Sequence, residues 1–91
     1  MKLRWSALAM TELTHSVARI AEDDIPAAIR VRNRIHDAAQ ALTLYPLMGR
    51  PGRLTNTREL VVPGLPYFIV YHATKSEVSI LRVLHGAQSW P

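Results

Sequence analysis

The spacing of apolar residues changes once along this chain, from the period of a helix to that of a strand, and a run of turn formers marks the change. Ala9, Leu13, Val17 and Ile20 recur at offsets of four, four and three, while Thr11, Glu12, His15 and Arg19 point elsewhere. Ala28, Val31, Ile35, Ala38, Ala39 and Leu42 form a second stripe, with Arg30, Arg34, Asp37 and Gln40 opposite. Two one-sided helices in succession predict a helical hairpin. Ser6 can cap the first helix, and Asp24 the second, whose first turn tolerates Pro26. Tyr45-Pro46 stops the second helix, and Leu47 to Arg53 is dense in turn residues.

Beyond that run the pattern belongs to strands. Residues 57–62, 67–72 and 78–85 are rich in β-branched and aromatic side chains, which suit a pleated surface. The gaps between them, Pro63 to Pro66 and Ala73 to Glu77, are short enough for hairpins, so these strands should be antiparallel neighbours. Lys2-Leu3-Arg4-Trp5 alternates polar and apolar residues and reads as a short leading strand. The expected fold is α+β in the order β-α-α-β-β-β, a helical hairpin packed on one face of a twisted, mainly antiparallel sheet whose other face is partly open. A single domain over residues 1–91 is expected, since the chain has no linker, repeat or low-complexity tract.

Composition narrows the chemistry. With 48% hydrophobic residues the chain has ample material for a core. It has no cysteine, which removes disulfides, thiolate metal sites and cysteine nucleophiles. The apolar runs are broken by Glu12, His15, Arg19 and Glu22, and none approaches the about 18–20 residues that cross a bilayer. The N-terminus lacks the long apolar stretch of a secretory signal, so a soluble cytoplasmic protein with no membrane partner is expected. The formal charge of +4 suits an anionic partner such as nucleic acid, a ribosome or an acidic protein segment, and equally suits ordinary solubility.

Candidate functional residues are the arginines and one histidine of the second half. Arg50 and Arg53 read as solvated loop charge, whereas Arg58 and Arg82 lie on strands, where a guanidinium fork can hold phosphate or carboxylate. Strict alternation places Val78, Ile80, Arg82 and Leu84 on one face. An arginine among apolar neighbours needs a carboxylate, with Glu59 a candidate, or a ligand. His85, at the end of its strand, is a candidate acid or base, or a residue that closes the sheet edge. Trp5 and Trp90 read as packing residues that pin the two ends, with Trp90 also a possible stacking platform. The other histidines are too scattered to suggest a metal site, and no cofactor motif or hydrolase, NTPase or zinc signature occurs.

Six segments in order resemble the RelE/ParE toxin superfamily: Leu3-Arg4-Trp5-Ser6, Ile20-Ala21-Glu22-Asp23 before Pro26-Ala27-Ala28, Tyr45 to Gly52, Thr57 to Val62, Tyr67-Phe68-Ile69-Val70-Tyr71, and Ile80 to His85. The resemblance implies the toxin of a type II toxin–antitoxin pair, silenced by a cognate antitoxin. It leaves two targets open. RelE-like members cut messenger RNA on the ribosome and ParE-like members poison DNA gyrase. The ribonucleases usually carry an arginine where this chain has Phe68, and basic and tyrosine residues where it has Gly86 and Trp90. Without those cations a ribonuclease loses much of its transition-state stabilisation. Gyrase inhibition without intrinsic catalysis is therefore the leading expectation, with Arg58, Arg82 and His85 as target-facing residues. The alternatives are a ribosome-dependent endoribonuclease using His85 with Arg58 or Arg82, and a degenerate antitoxin-binding module. Homodimers and larger toxin–antitoxin complexes are both compatible with the fold.

Overall fold

Ser6 joins the two halves of the molecule while it starts the first helix. A computed structural model describes residues 1–91, in which β1 (Lys2–Trp5) leads into α1 (Ala7–Ala21). The Ser6 hydroxyl oxygen accepts from the Ala9 N–H at 3.0 Å as an N-cap, and its hydroxyl donates to the Leu81 carbonyl at 2.9 Å on a distant strand. Asp24 caps α2 (Ile25–Ala41) by accepting from the Ala27 N–H at 3.0 Å, with Pro26 in the first turn where its missing N–H costs nothing.

Four further strands follow: β2 (Arg50–Pro51), β3 (Arg58–Val61), β4 (Tyr67–Ala73) and β5 (Glu77–His85). They form one sheet in the order β1-β5-β4-β3-β2. β1 runs parallel to β5, and the helical hairpin that follows β1 carries the chain across the sheet to β2 at the opposite edge. All other pairings are antiparallel. β2 is an addition to the sequence reading, which has only turn there. Pro51 is compatible with it because β2 is an edge strand, where a missing donor interrupts no ladder. Gly64, at φ 75°, turns the chain between β3 and β4 in a conformation that a Cβ would disfavour.

The alternation expected along β5 does not hold. Tyr71 pairs with Ile80 but its neighbour Val70 pairs with Arg82, so Leu81 is an extra residue in a bulge. One inserted residue reverses the side-chain direction of everything after it. Val78, Ile80 and Val83 therefore face the helices, and Arg82 and Leu84 face away. The bulge falls where β1 ends. Beyond Ile80 no strand covers this edge of β5, and the free Val83 N–H donates instead to the Glu12 carboxylate at 3.0 Å.

The main core lies between the sheet and the hairpin. Leu13, Ile35, Leu42, Ile69, Tyr71, Val78 and Ile80 are among its buried members, and Ala9 and Ala39, both fully buried, contribute small side chains from α1 and α2. Each fully buried Val, Leu or Ile side chain contributes about 1.5–3 kcal/mol. A smaller cluster, Phe68, Val70 and Leu84, lies on the helix-free face and is covered by Trp90.

Candidate functional site

Register puts Arg50, Glu59, Val61, Phe68, Val70, Arg82 and Leu84 together on the helix-free face. Glu59 is its centre. The residue is only 2% exposed. Its carboxylate accepts from Arg53 Nη2 at 2.8 Å, from the Arg53 backbone N–H at 2.9 Å, from Trp90 Nε1 at 3.1 Å and from Arg50 Nη2 at 3.2 Å. The Arg53 guanidinium does most to hold the Glu59 carboxyl down to about 2. Burial pushes the other way, and the Arg53 N–H, Trp90 and Arg50 bonds add to the lowering. Neither oxygen is left to act as a base.

Arg82 is held from the other side. Its Nε and Nη2 meet the Glu12 oxygens at 3.0 and 2.7 Å, a forked pair between β5 and α1 that keeps the guanidinium firmly protonated. The Trp90 ring lies 5.2 Å from Arg82 Cζ, and the Trp90 carbonyl accepts from Arg53 Nη1 at 3.0 Å. Arg53 in turn lies 5.5 Å above the Phe68 ring. Trp90 thus closes the face as well as pinning its end of the chain.

The charge pairing differs from the sequence expectation at Arg82, Arg50 and Arg53. Arg82 pairs with Glu12 rather than Glu59: Glu12 reaches the edge of β5 that β1 leaves uncovered, where it also takes the Val83 N–H, while Glu59 is already held by Arg53, Arg50 and Trp90. Arg50 and Arg53 are partners of a buried carboxylate rather than solvated loop charges. That Glu59 lies six residues from Arg53 across the short β2–β3 hairpin is a signal the sequence does contain. Glu12, seventy residues from Arg82, offers none.

Arg58 and His85 lie elsewhere. Both are on the helix side of the sheet but on strands either side of β4, paired with Tyr71 and Tyr67, which are four residues or about 13 Å apart along that strand at roughly 3.3 Å per residue. Arg58 Nη1 donates to the Gly49 carbonyl at 2.8 Å. Beside it the Tyr71 hydroxyl accepts from the Gly49 N–H at 2.9 Å and donates to the Pro46 carbonyl at 2.7 Å. Burial pushes the Tyr71 phenol up, against the Gly49 bond and the Arg58 charge, so it remains a donor. Arg58 and Tyr71 fix a loop that presents Leu44, Tyr45, Leu47 and Met48, all exposed. Such a cluster is the usual mark of a partner surface. The three target-facing residues of the sequence reading therefore occupy three places. Arg82 braces the helix-free face, Arg58 fixes the exposed loop, and His85 lines a recess against α1.

No three His, Asp or Glu side chains gather as metal ligands, and no helix is long and apolar enough to cross a membrane. What the surface offers is a cationic, aromatic face with Arg50 at its rim, its side chain 63% exposed, and an apolar loop beside it.

Residues 3–90 match the family described as the ParE toxin of the type II toxin-antitoxin system parDE. The candidate toxin Y4kP of Sinorhizobium fredii is 46% identical over 90 residues, spanning 99% of this chain and 93% of that protein. Toxin RelE2 of Caulobacter vibrioides is 34% identical over 84 residues, spanning 92% and 93%. Among solved structures, a chain of the chromosomal ParDE toxin–antitoxin system from P. aeruginosa superposes with a TM-score of 0.82 at 22% identity, covering 93% of this chain and 95% of that one. That likeness is one of fold.

Proposed function

The chain belongs to the ParE family of type II toxin–antitoxin toxins, and on that premise we propose that it arrests growth by binding DNA gyrase and holding its broken-DNA state until a cognate antitoxin covers it. The observation that carries this reading is the commitment of the charged groups on the helix-free face. Arg53 and Arg82 spend their donors on Glu59 and Glu12, and Trp90 lies across both. A phosphodiester cleavage site needs cations free to meet developing charge and a base free to take a proton. A binding poison needs only a rigid complementary surface, and interlocked ion pairs build one. Phe68, buried beneath Arg53, adds apolar packing where the ribonucleases usually place an arginine.

Target contact falls to the exposed groups at the rim, Arg50 and the Leu47–Met48 loop, with Arg82 and Arg58 as positioning residues behind them. The test is supercoiling of relaxed plasmid by DNA gyrase in the presence of the purified, antitoxin-free chain, scored together with trapped cleaved DNA. Dose-dependent inhibition is expected, and the double replacement Arg50→Ala, Leu47→Ala should weaken it by roughly tenfold or more, the scale of losing one interface hot spot. Growth arrest with gyrase untouched and messenger RNA cut on ribosomes would overturn the reading.

A further inference from the structure

The turn that ends β5 builds one wall of a recess that the helix-free face does not use. The His85 N–H donates to Gln88 Oε1 at 2.6 Å, and the Gln88 N–H returns to the His85 carbonyl at 3.0 Å. The Gly86 N–H ties the turn to the Pro66 carbonyl at 2.7 Å. Within this frame the Ala87 N–H donates to His85 Nδ1 at 3.0 Å. A ring nitrogen that accepts carries no proton, so the neutral imidazole bears its hydrogen on Nε2 and presents a donor. Its ring stands edge-on to Tyr67, with centroids 5.3 Å apart at 83°.

The opposite wall is one face of α1. Glu12, His15, Ser16 and Arg19 follow the three- and four-residue spacing that stacks side chains on a helix. With Tyr67, His85 and Gln88 they line a recess of about 480 Å³, inside the roughly 300–1,000 Å³ of small-molecule sites.

The lining is rich in donors. Glu12 is its only carboxylate, and both oxygens are already engaged by Arg82 and the Val83 N–H. Arg19 takes part in none of the four ion pairs of the chain, so its guanidinium is free. Gln88 has committed its oxygen to the turn and has its amide hydrogens left to give. An unpaired guanidinium with hydroxyl, imidazole and amide donors around it suits an anion with several oxygens. The volume exceeds what a bare phosphate fills, and the Tyr67–His85 pair offers aromatic surface to a planar ring.

We infer that this recess binds a phosphomonoester carrying a planar ring, of the nucleoside monophosphate class, with Arg19 on the phosphate and the ring against Tyr67 and His85. The site is independent of gyrase inhibition, and its test requires no gyrase.

The full chain, labelled with nitrogen-15, is titrated with adenosine monophosphate and separately with inorganic phosphate at matched ionic strength, while its amide spectrum is followed. Saturable shifts are expected at residues 15–19, 67 and 85–88, with residues 50–59 unmoved. Adenosine monophosphate should bind more tightly than inorganic phosphate. Arg19→Gln should weaken binding by roughly tenfold or more, the scale of one hydrogen bond to a charged group. His85→Phe keeps the aromatic pair with Tyr67 but loses the Nε2 donor and the Nδ1 acceptor of the Ala87 N–H, and should weaken binding about threefold to tenfold. Arg32→Gln, an exposed cation on α2, should change nothing. Equal affinity for the two probes overturns the ring contact. Absence of saturable shifts, shifts spread over the arginines at large, or unaltered binding by Arg19→Gln overturns the site.

Discussion

Replacing Glu59 with Gln preserves the volume of the side chain and its bond from Trp90 while removing the charge that Arg50 and Arg53 share. The ordinary carboxyl value of 4.5 is lowered to about 2 in the folded chain. Each unit corresponds to about 1.36 kcal/mol, so ionised Glu59 contributes about 3 kcal/mol near neutral pH. Because the folded value lies below the unfolded one, that contribution is present in full above about 4.5 and is lost as pH falls through the folded value. At pH 3 the same linkage leaves about 1 kcal/mol. Urea unfolding of both proteins, followed by tryptophan fluorescence at pH 7, 5 and 3, measures the difference directly. The expected pattern is a gap of about 3 kcal/mol at pH 7 that closes toward acid. A gap below about 1 kcal/mol at pH 7, or one that persists unchanged at pH 3, would refute the account of Glu59 as the charged centre of this face.

Other expectations follow from the same contacts. Arg53→Ala should cost about 2–3 kcal/mol in denaturant unfolding, somewhat less than the roughly 3–5 kcal/mol of a fully buried pair because half of its side chain is exposed, whereas Arg50→Ala should cost under about 1 kcal/mol. Similar losses for the two would show that burial does not separate their roles. Tyr71→Phe leaves the buried Gly49 N–H without its acceptor and should lower stability by about 1–3 kcal/mol, with faster amide exchange at Gly49. Ser6→Ala removes both an N-cap and a bond to Leu81, so thermal unfolding should show a loss of about 1–2 kcal/mol. A loss near zero would mean that water replaces both.

The candidate site was less legible in the sequence than the fold was. Residue type marked Arg58, Arg82 and His85 as able to carry chemistry, and all three have specific partners, but those partners lie on separate parts of the molecule. Arg50 and Arg53 read as solvated charge because they sit in a loop rich in proline and glycine, whereas β2 folds that loop back on β3 and buries Glu59 beneath it. His15, Ser16 and Arg19 look like the polar side of an amphipathic helix. They become a recess only because the β5 turn stands opposite.

The sequence alone determined the order of elements apart from β2, the two helix caps and the β3–β4 and β4–β5 hairpins, since hydrophobic period, capping and turn chemistry act between residues a few positions apart. The faces of β5 and the pairing of charges were decided by the tertiary structure. One extra residue at Leu81 reverses a two-residue period without leaving a trace in composition, and it falls where β1 stops pairing, after Ile80. Which carboxylate reaches which guanidinium depends on approaches from far along the chain: Glu12 of α1 meets Arg82 and the Val83 N–H at the β5 edge that β1 leaves open, and the fold of β2 onto β3 gathers Arg50, Arg53 and Trp90 on Glu59.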